Sequence, residues 1–188
     1  MKRYIRSNFD FGDTPDEDLI AMAKSRTTRK NTLAALAQSD NARVRLWVAS
    51  HPNASEDTLR LLADDPVDGI RKMVAMNKRT PQDIIKTLAH DDGWYVRVGA
   101  AENPNTPSEI LAELVKDSSD MVVREAASNP NTPIELILEL VDSPETEIRQ
   151  GVVTNPNTPT DVLQKYTKDS NALVAYRARE ALKRRGQG

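Results

Sequence analysis

Apolar residues recur along this chain with a period of 26 positions. Ile84, Ile85, Leu88 and Ala89 return as Ile110, Leu111, Leu114 and Val115, and again as Leu136, Ile137, Leu140 and Val141. Offsets of one, four and five positions place such a set on one stripe of an α-helix. A second column, Val44, Ile70, Val96, Val122, Ile148 and Val174, is followed four and five places later by small residues such as Val74-Ala75 and Ala100-Ala101. That pattern predicts a second helix packed closely on its neighbours. Between the stripes lies the polar run Asn-Pro-Asn-Thr-Pro, beginning at Asn103, Asn129 and Asn155, with variant forms beginning at Asn77 and His51. A further, degraded copy begins at Ser25, where Leu33, Leu36, Val44 and Arg45 match Leu59, Leu62, Ile70 and Arg71.

The polar residues between the stripes carry helix start and stop signals. Thr106, Thr132 and Thr158 suit N-caps, Pro107, Pro133 and Pro159 suit the first helical position, and Glu109, Glu135 and Asp161 suit the first turn. For the second helix, the column Ser39, Asp65, Asp91, Asp117, Ser143 and Asp169 holds only good N-cap residues. Its end is predicted at Asn-Pro, with Asn closing the helix in the left-handed region and Pro preventing continuation. The room left for this helix is short enough for it to be partly 3₁₀. Helices of this length are unstable alone in water, so the units must stack. The fold predicted is all-α, an α-solenoid of about six two-helix repeats spanning 25–169, with an N-terminal capping segment at 1–24 and a C-terminal capping helix and basic tail at 170–188.

The succession of Val-Arg, a small apolar pair, Asn-Pro-Asn-Thr-Pro and Leu-x-x-Leu resembles the leucine-rich variant repeat, which is similar in style to HEAT-type helical repeats. The resemblance implies a right-handed superhelix of α and short 3₁₀-like helices that offers a surface to another macromolecule. One unit departs from the pattern: Val123 stands where Arg45, Arg71, Arg97 and Arg149 share a column, and Arg124 follows it, which suggests a local offset of that helix.

Composition narrows the function classes. Only 4% of the 188 residues are aromatic, too few for the centre of a β-sandwich, and the formal charge of −2 gives no global attraction for polyanions. The absence of Cys leaves no thiolate ligand or nucleophile and fits a cytoplasmic protein. Residues 1–10 lack the apolar core of a signal peptide, and no stretch is apolar enough to predict a membrane span. His51 and His90 stand in unrelated positions, and neither a glycine-rich phosphate loop nor a G-x-S-x-G motif occurs. The carboxylates read as caps. No catalytic residue, metal site or cofactor is therefore assigned, and the chain is read as a non-enzyme.

Two sets of residues remain as interaction candidates. Arg45, Arg71, Arg97 and Arg149 would form a line that either grips anions or acts as a structural ladder to carbonyls and Asp residues of the next unit, the ladder being the preferred reading. The outer positions Leu46, Trp47, Met73, Met76 and Val98, with Trp94 and Tyr95, are apolar where packing does not demand it, an interface signature. The competing account is that Tyr4, Ile5, Phe9 and Phe11 fold back over Trp47; the expectation is that this segment covers Trp47 while Met73, Met76 and Val98 face a partner. The basic Lys183-Arg184-Arg185 suits a helix C-terminus. The function expected is a scaffold that binds another protein, with nucleic-acid binding through the Arg column and basic C-terminus as the alternative.

Overall fold

A computed structural model describes residues 14–186; the candidate cover residues Tyr4, Ile5, Phe9 and Phe11 lie outside that range. The described residues contain thirteen α-helices and no strand. They fall into two compact units, divided after Asn103. The first holds α1 (Asp16–Lys24), α2 (Lys30–Leu36), α3 (Ala42–Ala49), α4 (Glu56–Ala63), α5 (Asp68–Met76), α6 (Gln82–Leu88) and α7 (Trp94–Glu102). The second holds α8 (Ser108–Leu114), α9 (Asp120–Ser128), α10 (Ile134–Glu139), α11 (Thr146–Thr154), α12 (Thr160–Tyr166) and α13 (Ala172–Arg184). Six helix pairs, α2–α3 through α12–α13, reproduce the six predicted repeats. In register, α1 lies one period before α3 and corresponds to a second helix.

In each unit the second helices stack side by side: α1, α3, α5 and α7 in one, α9, α11 and α13 in the other. The column Val44, Ile70, Val96, Val122, Ile148 and Val174 is buried throughout, as the 26-residue period required. In the second unit Ile137, Val141, Val152, Leu163, Tyr166, Val174, Ala178 and Leu182 share one apolar cluster. Tyr166 keeps its hydroxyl inside by donating to the Val141 carbonyl at 2.8 Å, and burial pushes that phenol above its ordinary pKa.

The helices and their turns differ from the sequence reading in five respects. The second helices are α-helical over eight or more residues, with no 3₁₀ stretch among the described residues. The threonines do not cap the helix that follows. Buried Thr80, Thr132 and Thr158 instead donate at 2.5 Å to Val74, Ala126 and Val152, carbonyls in the last turn of the preceding helix that also accept from the amides of Asn77, Asn129 and Asn155. Proline then occupies the N-cap position in an extended conformation, as at Pro107. The Asp/Ser column lies two residues before the N-cap and makes Asx-type or Ser turns, such as Asp91 Oδ1 accepting from the Gly93 amide at 2.9 Å.

The asparagine is extended as well, with no non-glycine residue at positive φ among those described. Asn103 and Asn155 precede Pro, which disfavours helical and left-handed geometry at the residue before it. The Asn side chain, not its backbone, then satisfies helix-end carbonyls one repeat back. Asn77 Nδ2 donates to Ala49 and His51 oxygens at 2.7 and 3.1 Å, Asn103 to Ala75 and Asn77 at 2.6 and 3.0 Å, and Asn155 to Ala127 and Asn129 at 2.7 Å each.

His51 fills the same role with a ring. Its Nδ1 accepts from the Asn53 amide at 2.9 Å, as Asn77 Oδ1 accepts from the Arg79 amide, and its Nε2 donates to the Ser25 carbonyl at 2.9 Å. These partners assign the neutral Nε2–H tautomer. Replacing His51 by Asn should therefore keep stability within about 0.5 kcal/mol, while His51→Ala should lose about 1–3 kcal/mol by orphaning buried groups. Denaturant unfolding of the two variants checks this, and an Asn variant as weak as the Ala variant would refute the equivalence.

Candidate functional site

The Arg column spans adjacent repeats. Arg45, at 6% exposure, clasps the Asp65 carboxylate through Nε and Nη2 at 2.7 and 3.2 Å and donates through Nη1 to the Ser39 and Asp40 carbonyls at 2.8 and 3.0 Å. Arg71 makes the same fork to Asp91 at 2.7 and 3.0 Å and reaches the Asp65 carbonyl at 2.8 Å. Arg149 joins Asp169 at 2.8 and 3.1 Å to the carbonyls of Ser143 and Pro144. Arg97 donates to the Asp91 and Asp92 carbonyls at 2.8 and 3.1 Å. The hydrogen bond from Arg71 holds the Asp91 carboxyl below its ordinary pKa, and the Arg71 guanidinium is raised in turn. Asp169 is also lowered, its desolvation being outweighed by Arg149 and the Asn171 amide. A bidentate carboxylate occupies the fork that a phosphate would need.

α9 is not offset. It lies one period after α7, and Val123 is buried in the place of the missing arginine, while Arg124 pairs with Glu125. Twenty residues after Val123 stands Ser143 instead of Asp, so arginine and aspartate are lost together. The same holds for Leu19 and Ser39, and every Asp of the column, at 65, 91, 117 and 169, has an Arg twenty residues earlier.

This repeated unit can now be placed among known proteins. Residues 42–67 and 94–119 match the family model described as leucine rich repeat variant. Those two stretches are leucine-rich variant repeats. It is similar to a solved structure described as a leucine-rich repeat variant with a novel repetitive protein structural motif, with TM-score 0.61 and 22% identity over 90% of this chain and 67% of that one. A crystal structure of an engineered protein aligns at TM-score 0.43 and 18% identity over 91% of this chain and 89% of that one. A designed armadillo repeat protein in complex with the peptide (KR)4 aligns at 0.34 and 16%, over 91% and 95%. No curated protein matches the chain. No helix among the described residues is long and apolar enough to cross a membrane.

Outside the ladders, the variant repeats of the first unit expose a set of aromatics on their second helices. Trp94 is 49% exposed and Tyr95 41%; their rings meet edge to face at 5.8 Å, and Lys72 Nζ sits 3.8 Å from the centre of the Tyr95 ring. Trp47 is 37% exposed under Lys24 of α1, 4.6 Å from the ring centre. Met76 is exposed, and Leu46 and Met73 are half-buried.

Val98 does not join them. It is 4% exposed, because its neighbour Gly99 lets α7 approach α5 until a Cβ at that glycine would lie 2.9 Å from the Lys72 oxygen. The outer-column reading is corrected at this position: two helices in such close contact cover the residue between them.

The sequence reading missed a basic and aromatic groove in the second unit. Val153, Thr154, Tyr176, Arg177, Glu180 and Arg184 line a cavity of about 480 Å³ beside the end of α11. Tyr176 is 57% exposed there. The signal available was a tyrosine and an arginine, Tyr176 and Arg177, one period beyond Gln150 and Gly151 in outward columns of the repeat.

Proposed function

We propose that the chain is a non-enzymatic helical-repeat scaffold that binds another protein through the outward columns of its second helices. The observation that supports this is the exposed Trp94–Tyr95 pair with its Lys72 contact, an apolar and cationic patch that no internal packing requires. Trp47, Met73 and Met76 extend the patch along α3 and α5. Its centre combines large rings with little conformational freedom to lose on binding, which is the usual make-up of an interface hot spot.

Photo-crosslinking in native lysate tests the reading, with the crosslinker placed at Met76 and, as control, at Leu138, which is 48% exposed on first helix α10. A protein adduct of discrete mass is expected from Met76 only, insensitive to nuclease and lost in a Trp94→Ala, Tyr95→Ala double variant. Adducts that survive that double variant, or that vanish with nuclease, would overturn it.

A further inference from the structure

We infer that the groove between α13 and the end of α11 is a docking site for an acidic polypeptide segment, distinct from the aromatic patch of the first unit. α13 carries Arg177, Arg179, Lys183 and Arg184 against one carboxylate, Glu180, although the whole chain bears a net charge of −2. Local charge thus runs opposite to that of the molecule. Two of the basic groups are already used: Arg179 donates to the Thr167 carbonyl at 2.9 Å, and Arg185 to the carbonyls of Thr158 and Pro156 at 2.7 and 2.5 Å. Arg185 thereby fixes the loop that forms one wall.

Arg177 and Arg184 are left facing the groove. Arg177 makes a single contact, Nη1 to Thr154 Oγ1 at 3.3 Å, and keeps the rest of its donors. Arg184 has no hydrogen bond or ion pair among the described residues, and Glu180 pairs with neither arginine. Basic residues in a last helical turn complement the helix dipole, which accounts for Lys183 and Arg184 by charge. It does not account for Arg177 in mid-helix or for Tyr176, whose ring stands 57% exposed on the same wall.

From Tyr176 to Arg184 the helix advances about 12 Å, the span of about four residues of extended chain. A short segment could set carboxylates against Arg177 and Arg184 and lay an apolar side chain on Tyr176, next to Val153 and Ala181. A nucleic acid fits less well: its phosphates need a basic track longer than the one that Arg177 and Arg184 provide.

The test is fluorescence anisotropy of the full chain with a labelled peptide of about eight residues alternating Glu and Leu, compared with a Lys–Leu peptide and a labelled single-stranded oligonucleotide. The acidic peptide alone should bind measurably, and Arg177→Ala with Arg184→Ala should weaken it about tenfold or more. Glu180→Gln should strengthen it, and Trp94→Ala with Tyr95→Ala should leave it unchanged, which separates this site from the first unit's patch. Both arginines are exposed, and unchanged helical circular dichroism would confirm that the variants fold. Absence of acidic-peptide binding, equal binding by the Arg177→Ala, Arg184→Ala variant, or tighter binding of the oligonucleotide would overturn the inference.

Discussion

Gly151→Ala should unfold well below the parent protein, and Gly69→Ala should unfold above it. Both glycines lie in second helices, where alanine is intrinsically favoured by about 1 kcal/mol. Space decides the sign. A Cβ built on Gly151 would stand 2.4 Å from the Arg124 carbonyl oxygen and 3.0 Å from its carbon, atoms of the neighbouring helix backbone that cannot rotate away. Relief requires α11 to move off α9, which opens the apolar seam around Val152 and Ala127. Overpacking of this kind costs about 1–3 kcal/mol, and with backbone as the obstacle the upper end is expected, a melting temperature lower by about 5–10 °C. At Gly69 the nearest atom is the Leu46 Cδ1 methyl at 3.9 Å, the tip of a rotatable side chain. There the helical preference prevails, by about 0.5–1 kcal/mol. A thermal melt in which both variants shift the same way would refute this account of the close helix contacts.

The contrast between these glycines marks what the sequence could convey. The period, the two stripes and the number of helix pairs were legible because burial repeats with the same spacing as the residues that cause it. Direction was not legible. Thr132 reads as the cap of the helix ahead, yet it donates to the helix behind, since a hydroxyl next to an extended proline can serve either and only packing chooses. Gly99 and Gly151 stand one and three periods after Met73, and a glycine carries no side chain from which the sequence could report burial there. Val98 reads as outward because the close approach of α7 to α5 at Gly99, which covers it, leaves no mark in the periodic column. The Tyr176 groove escaped notice because it depends on how the described residues of α13 and the end of α11 are spaced apart, which no periodic column records. The pairing of Arg with Asp twenty residues later, by contrast, stood in the sequence throughout, as a rule kept at four positions and abandoned jointly at two.

That joint loss sets up the second large effect, at Arg45 and Asp65. Their side chains are 7% and 1% exposed, so removing either partner strands the other charge away from water. Asp65→Ala should cost about 3–5 kcal/mol, because the Arg45 guanidinium keeps its carbonyl contacts to Ser39 and Asp40 but loses its counter-ion. Arg45→Val should be comparably damaging, since Asp65 then stays buried with only the Val67 amide to hold it. The double variant Arg45→Val, Asp65→Ser copies what the chain itself does at Val123 and Ser143. There an apolar side chain fills the arginine site, and Ser143 Oγ still accepts from the amide two residues on, Glu145, at 3.3 Å. With no buried charge left, the double variant should lose less stability than either single, although it carries both changes. Urea unfolding of the four proteins measures the coupling. If the losses simply add, the Arg–Asp pairs are not the interlocked element between repeats that their geometry describes, and the paired disappearance at Val123 and Ser143 has another cause.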